Sequence, residues 1–177
     1  SLAASGKDMG GRANPGHDTG KLIRALESFA PVAGRGTRRR LAMPGGTALL
    51  LDESYNGNGA SMRAALAVLA LQPARRRIAV LGDMLELGEA GPAEHAALAA
   101  PVAGAADLLF ACGPLMRHLF DTVPPHIRAA HAADSAALAS IVAKQVAPGD
   151  AILVKGSLGS RMKTIVNALD ALTAETR

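Results

Sequence analysis

Short apolar runs alternate with longer Ala- and Leu-rich runs from residue 47 to the end of the chain. Each apolar run has four or five residues and ends in a polar loop, and the longer runs place apolar residues three or four positions apart. The pattern predicts five strands, at 47–51, 77–81, 107–111, 127–130 and 151–154. It predicts a helix after each strand, at 61–71, 92–100, 114–120, 134–146 and 160–172, with Pro101 ending the second helix.

Strands that alternate with helices along a chain form a parallel sheet with right-handed crossovers. The strand runs are apolar throughout instead of alternating, as expected where helices cover both faces of a sheet. The sequence therefore predicts an α/β fold for residues 46–177. We expect a Rossmann-like three-layer sandwich, with a mostly parallel sheet of about five to six strands and helices on both faces.

The first quarter of the chain has a different pattern. Residues 1–17 are rich in glycine and lack apolar periodicity, which is typical of a loop or a poorly ordered tail. A short helix is predicted at 18–29, followed by a basic segment that contains Arg38, Arg39 and Arg40. Because Pro44, Gly45 and Gly46 form a turn signal, we place a domain boundary between residues 45 and 46.

The composition argues against a nucleic-acid-binding protein and against a membrane protein. Eight Lys or Arg and three Asp or Glu lie in residues 1–45, so the net charge of +4 comes from that segment, and aromatics are only 2%. Nucleic-acid binding is not expected, because it needs a basic face with stacking aromatics. The single Cys112 forms no internal disulfide, and no apolar run reaches the ~18 residues of a membrane span. We expect a cytoplasmic protein that binds no membrane.

Common ligand motifs are incomplete. The stretch 16–22 has one residue too few between its glycines for a phosphate loop, and Leu22 stands where Ser or Thr would bind magnesium. The stretch 57–59 lacks the third glycine of a dinucleotide fingerprint, since position 62 is Met. The five histidines show no metal-ligand spacing, so no metal ligand is predicted.

Polar residues follow the predicted strands, where a parallel sheet brings its loops to one edge. A mixed-sign rim suits a zwitterionic or nucleotide ligand, although each residue is also a common helix cap or turn former. Three long polar loops together favour a binding site. The rim consists of Asp52, Glu53, Asn56, Asn58, Asp83, Glu86, Lys155, Ser157 and Arg161.

Five motifs between residues 34 and 162 resemble the Mur ligases. They are Gly-Arg-Gly at 34–36, Asp-Glu-Ser-Tyr-Asn-Gly-Asn at 52–58, Ser-Met-Arg-Ala-Ala at 61–65, Gly-Asp-Met-Leu-Glu-Leu-Gly at 82–88 and Lys-Gly-Ser-Leu-Gly-Ser-Arg-Met at 155–162. Within the family, the resemblance is to enzymes that join D-alanyl-D-alanine to UDP-N-acetylmuramoyl-tripeptide in peptidoglycan synthesis. It implies an ATP-dependent peptide ligase with Mg²⁺ and an acyl-phosphate intermediate.

The resemblance also implies a division of the chain and of its site. Residues 46–177 would be the third, Rossmann-like domain, and residues 1–45 the tail of the central ATPase domain with the linker. ATP and Mg²⁺ would be bound mainly by that central domain, so this chain would be inactive without it and the N-terminal domain. The nucleotide side would hold Arg35, Asp52, Glu53, Tyr55, Asn56 and Asn58. The D-alanyl-D-alanine side would hold Lys155, Ser157 and Arg161, and no residue is assigned a catalytic role.

The chain departs from the family pattern at Glu53, Gly57 and Gly59, where the second Asp, an Ala and a Pro are usual. Glu keeps the charge with one more methylene, and Gly59 loosens the entry to the helix. Two alternatives stay open. One is a related amide ligase of the folylpolyglutamate or cyanophycin synthetase type, and the other is a stand-alone Rossmann-like binding module without catalysis.

Overall fold

A computed structural model describes residues 36–174, so Arg35, the tail at 1–17 and the helix predicted at 18–29 lie outside the described residues. The described part forms six strands: β1 Thr37–Met43, β2 Gly46–Glu53, β3 Arg76–Gly82, β4 Leu108–Cys112, β5 Arg128–Ala132 and β6 Asp150–Lys155. It forms six α-helices: α1 Gly59–Ala70, α2 Gly91–Ala96, α3 Ala99–Ala105, α4 Met116–Thr122, α5 Ser135–Gln145 and α6 Lys163–Ala174. Short 3₁₀ turns lie at Gly88–Ala90, Pro125–Ile127 and Leu158–Ser160.

The strands form one sheet in the order β1-β2-β6-β3-β4-β5. β1 is antiparallel to β2, and all other neighbours are parallel. Helices α1, α3 and α4 pack on one face, against residues such as Leu51 and Leu153, and α5 and α6 pack on the other, against Leu50 and Ile152. Successive strand residues thus belong to opposite buried layers, which confirms the predicted three-layer α/β fold.

Strand β1 was not predicted, because three consecutive arginines conceal its alternation. Leu41 and Met43 are buried against the layer that contains α5 and α6, and the Arg39 guanidinium pairs with the Asp170 carboxylate of α6. Gly45 has a φ of +85° in the turn that connects β1 to β2, a conformation that favours glycine. The predicted domain boundary falls in this hairpin turn, and the assignment of residues 1–45 to a preceding domain stays a prediction.

The helix predicted at 92–100 is two helices, so that prediction was wrong. α2 ends at Ala96, and Pro101 lies in the first turn of α3. Proline fits there because the first-turn N–H groups have no partner within the helix. The last helix begins at Lys163, three residues later than predicted, after the 3₁₀ turn and Arg161. Within residues 36–174, no helix is both long and apolar enough to cross a bilayer.

Candidate functional site

Three neighbouring loops meet at the carboxyl edge of the sheet. We call them the β2 loop (residues 54–58), the β3 loop (residues 83–87) and the β6 loop (residues 156–162). They are adjacent because β6 lies between β2 and β3 in the sheet. All three strands run parallel, so their loops leave at the same edge. Sheets of this class bind ligands there.

Asp52 supports the β2 loop from below. Its buried carboxylate accepts hydrogen bonds from the Ser54 N–H (3.1 Å) and the Ser54 hydroxyl (2.6 Å), which shapes the turn. The Lys163 ammonium group of α6 donates to the other carboxylate oxygen at 3.3 Å. The Asp52 side chain therefore holds the loop on the sheet, and its predicted contact with a nucleotide stays a prediction.

Lys155 lies under the β2 loop with only 2% of its surface exposed. Its Nζ donates to the Asn56 carbonyl oxygen at 2.8 Å and to Glu53 Oε2 at 3.4 Å. Burial lowers the pKa of Lys155, and the Glu53 carboxylate opposes that shift. This lysine was predicted on the D-alanyl-D-alanine side, whereas its ammonium group contacts Glu53 and Asn56, which were predicted on the nucleotide side.

The rest of the β2 loop divides into a cap and an exposed rim. The Asn58 side chain accepts a hydrogen bond from the Ser61 N–H at 2.8 Å, and the Ser61 hydroxyl accepts one from the Asn58 N–H at 3.1 Å. This reciprocal pair caps the start of α1. Tyr55 is 40% exposed and the Asn56 side chain is also exposed, so these two residues face outward from the loop.

Ser157 connects the other two loops to the β6 loop. Its hydroxyl accepts a hydrogen bond from the Leu85 N–H at 2.9 Å and donates one to the Gly57 carbonyl at 3.1 Å. Its N–H donates to the Asp83 carbonyl at 3.1 Å. A Cβ atom on Gly57 would lie 2.8 Å from the Gly156 carbonyl carbon, so the β2 and β6 loops touch backbone to backbone there.

A cleft of about 390 Å³ lies on the other side of the β6 loop, at the ends of β3, β4 and β5. Asp83 on its wall is buried, and its carboxylate accepts the N–H groups of Leu115 (3.3 Å) and Met116 (2.7 Å) at the start of α4. Asp134 caps α5 through the Ala137 N–H at 2.8 Å. Arg161 is exposed on the rim with a left-handed φ of 51°. The cleft therefore offers a guanidinium to a ligand.

His95 was not recognised from the sequence, because no spacing distinguishes it from the other histidines. It is fully buried in α2, where its Nε2 accepts the Met84 N–H at 2.9 Å and its Nδ1 donates to the Gly91 carbonyl at 2.7 Å. These two bonds attach the β3 loop to α2. At the end of β4, burial raises the pKa of the Cys112 thiol to about 12. Cys112 is therefore a core side chain, inert as a nucleophile at neutral pH.

The predicted site residues thus form two groups at one edge. The first group lies in or next to the β2 loop and consists of Glu53, Tyr55, Asn56 and Lys155. The second is Arg161, which lines the cleft on the other side of Ser157. Arg35 lies outside the described residues. Within residues 36–174, no group of three or more His, Cys, Asp or Glu side chains is placed to hold a metal ion.

Known proteins resemble this chain over most of its length. The family described as "Mur ligase, glutamate ligase domain" matches residues 34–158. The UDP-N-acetylmuramoyl-tripeptide–D-alanyl-D-alanine ligase of Escherichia coli K12 is 40% identical over 125 residues, which cover 68% of this chain and 26% of that protein. The chain spans about a third or less of the length of the curated relatives that it matches.

Solved structures of ligases share the fold. A crystal structure of MurF from Acinetobacter baumannii matches with a TM-score of 0.74 and 26% identity, over 86% of this chain and 34% of that one. The MurF ligase from Thermotoga maritima in complex with ADP matches with a TM-score of 0.70 and 21% identity, over 89% and 37%. The chain therefore belongs to the Mur ligase family and carries its C-terminal domain.

Proposed function

We propose that this chain acts as the C-terminal domain of an ATP-dependent ligase that joins D-alanyl-D-alanine to UDP-N-acetylmuramoyl-tripeptide. The observation that carries the proposal is the carboxyl edge, where the β2, β3 and β6 loops that bear the family motifs lie side by side. The relatives from Escherichia coli and Synechocystis carry the name of this ligase. The domain would form one wall of a site whose other walls belong to the rest of the ligase.

The reaction would proceed in two steps. The terminal carboxylate of the tripeptide attacks the γ-phosphorus of ATP, and ADP leaves. The amine of D-alanyl-D-alanine then attacks the acyl-phosphate carbon, phosphate leaves and the amine loses a proton as the peptide bond forms. The described residues would contribute by holding the two smaller substrates at one edge, since orientation of reactants lowers the barrier of such steps.

The nucleotide would lie against the β2 loop. Tyr55 and Asn56 have the exposed side chains that would touch its base and ribose. Asp52 and Asn58 would hold the shape of the loop through the Ser54 and Ser61 hydrogen bonds. The Glu53 carboxylate lies next to the Lys155 ammonium group, and this ion pair would set the electrostatic potential behind the β2 loop. By resemblance to the family, Arg35, which precedes β1 in the sequence, would contact the phosphates.

D-alanyl-D-alanine would lie in the cleft beyond the β6 loop. The exposed Arg161 guanidinium would pair with its carboxylate, since a guanidinium binds a carboxylate through two parallel N–H···O bonds. A backbone carbonyl of the loops would receive its ammonium group before deprotonation. Ser157 would support this side from within the protein through its bond to the Leu85 N–H, whereas Lys155 would support the β2 loop.

ATP phosphates and Mg²⁺ would be held mainly by other parts of the ligase. Within residues 36–174, no group of three or more His, Cys, Asp or Glu side chains lies where it could hold a metal ion. The 177-residue chain would therefore be inactive alone and would bind ATP and D-alanyl-D-alanine weakly. Calorimetry measures this: micromolar affinity of the isolated chain for either substrate would contradict it.

The decisive assay uses the complete reading frame that encodes this chain. The purified protein should release phosphate from ATP only when both UDP-N-acetylmuramoyl-tripeptide and D-alanyl-D-alanine are present, and mass spectrometry should detect the pentapeptide product. If the protein instead used glutamate, or aspartate and arginine, as its amine substrate, the result would favour the folylpolyglutamate or cyanophycin type of amide ligase. Absence of any ATP-dependent ligation would favour a binding module.

A further inference from the structure

One serine hydroxyl lies between the two halves of the candidate site. We propose that Ser157 is a positioning residue that couples the β2 loop to the β3 loop, so that the nucleotide side and the cleft side move together. The coupling itself is a property of the fold, and its effect on two substrates rests on the function proposed above. In this role Ser157 acts through the two loops and does not contact substrate directly.

The hydrogen-bond pattern around Ser157 supports a coupling role. The hydroxyl donates its single proton to the Gly57 carbonyl of the β2 loop and accepts the Leu85 N–H of the β3 loop. A serine hydroxyl has one donor and two acceptor positions, so its donor is fully used inside the protein. Hydrogen bonds in such a chain polarise and strengthen one another. Movement of either loop would weaken the bond to the other.

Neighbouring contacts act on one loop each and provide matched comparisons. The Ser160 hydroxyl donates to the Asp83 carbonyl at 2.7 Å and thereby holds the β3 loop. The Lys155 ammonium group holds the β2 loop through the Asn56 carbonyl. Ser157 differs from both because its side chain bonds to the two loops at once.

Close packing makes this connection stiff. A Cβ atom on Gly57 would lie 2.8 Å from both the Gly156 carbonyl carbon and the Ser157 nitrogen. The β2 loop therefore rests directly on the β6 backbone at the point where the Ser157 hydroxyl bonds to it. A displacement of Tyr55 or Asn56 by a ligand would be transmitted to Leu85, which lies on the wall of the cleft.

Amide hydrogen exchange on the 177-residue chain tests the coupling without any substrate. In Ser157→Ala, exchange should rise by roughly 5-fold at Leu85, and also at the Ser54 and Asn58 N–H groups of the β2 loop, as expected for loss of a hydrogen bond of about 1 kcal/mol. Ser160→Ala should raise exchange in the β3 loop only. Ser157→Thr keeps the hydroxyl and should retain the wild-type pattern. Unchanged β2-loop exchange in Ser157→Ala would overturn the proposal.

Kinetics of the complete protein test the consequence for the proposed reaction. Ser157→Ala should raise the KM for ATP and the KM for D-alanyl-D-alanine, each by about 5-fold, with rescue by Ser157→Thr. Asn56→Ala should raise only the first KM, and Arg161→Ala only the second. A change confined to D-alanyl-D-alanine in Ser157→Ala would identify a substrate contact and refute the coupling. If the wild-type protein lacks ligase activity, the function fails, while the exchange result still decides the coupling.

Discussion

The two edges of the sheet differ in their polar side chains. At the amino edge, the Arg76 guanidinium binds the buried Asp150 carboxylate through two hydrogen bonds of 3.0 and 2.7 Å, and that carboxylate also accepts the Ala147 N–H at 2.8 Å. Asp107 accepts the Arg77 N–H at 2.7 Å. These contacts connect the starts of β3, β4 and β6 and close the turn before β6, so the groups satisfy one another. At the carboxyl edge, Arg161 and Asn56 are exposed on long loops.

Exposed apolar side chains show the same asymmetry. Five large apolar residues of the described part are more than a third exposed, and three of them, Tyr55, Leu85 and Leu158, lie in loops at the carboxyl edge. Apolar groups beside free polar groups mark a surface that a ligand or another domain covers. Both edges contain paired charges, so the exposed Arg161 and the exposed apolar side chains are what distinguish the carboxyl edge.

The largest effect is expected at the amino edge. Asp150→Ala removes the carboxylate that binds both Arg76 and the Ala147 N–H, so the free energy of unfolding should fall by about 3 kcal/mol. Chemical denaturation of the isolated chain measures this change. Asp121→Ala, which removes an exposed carboxylate paired with Arg117, is the control and should leave stability unchanged. If the two variants were equally stable, the Asp150 carboxylate would have no structural role, and the amino edge would not differ from the carboxyl edge in this respect.

Beneath the carboxyl edge, His95 is expected to have the next largest effect. His95→Ala leaves the Met84 N–H and the Gly91 carbonyl without partners and opens a cavity, which should cost about 2 kcal/mol of stability. His118→Ala removes an exposed histidine and serves as the control. Denaturation curves and exchange at Met84 report the result. A stable His95→Ala protein with an unchanged Met84 amide would show that the β3 loop is fixed by other contacts.

Local patterns predicted the layers of this fold but not the contacts within its site. The apolar runs indicated five of the six strands within a few residues, because both faces of the sheet are covered. The arginines of β1 concealed its buried residues, Leu41 and Met43. Strand order depends on pairing between distant segments, such as Glu53 with Lys155, which no local pattern contains. This pairing brings Lys155 to the β2 loop, and so its partner could not be deduced from the sequence.

The floor of the cleft should respond to alkaline pH. Burial raises the pKa of Cys112 to about 12 from 9.0, so between these values the folded state keeps a proton that the unfolded state loses. The contribution of the Cys112 thiol to the free energy of unfolding is therefore fully present below pH 9, and it decreases as pH rises toward 12. Unfolding free energies of the wild type and Cys112→Ala, measured from pH 8 to 10.5, should converge as pH rises. Parallel curves, or rapid reaction of the native thiol with a disulfide reagent, would mean that the cleft floor is accessible.

The smallest effect on the free energy of unfolding is expected for Arg161→Ala. Its comparison with Arg76→Ala distinguishes the two edges most clearly. Arg161 is exposed, and among the described contacts its guanidinium forms no ion pair, so Arg161→Ala should change the free energy of unfolding by less than about 0.5 kcal/mol. Arg76→Ala, the matched change at the amino edge, leaves the Asp150 carboxylate buried without its cation and should destabilise the chain clearly. In the complete protein the order should reverse for function, because Arg161→Ala should raise the KM for D-alanyl-D-alanine whereas Arg76→Ala should not. A stability loss above 1 kcal/mol in Arg161→Ala would instead give its guanidinium the structural role seen at the amino edge.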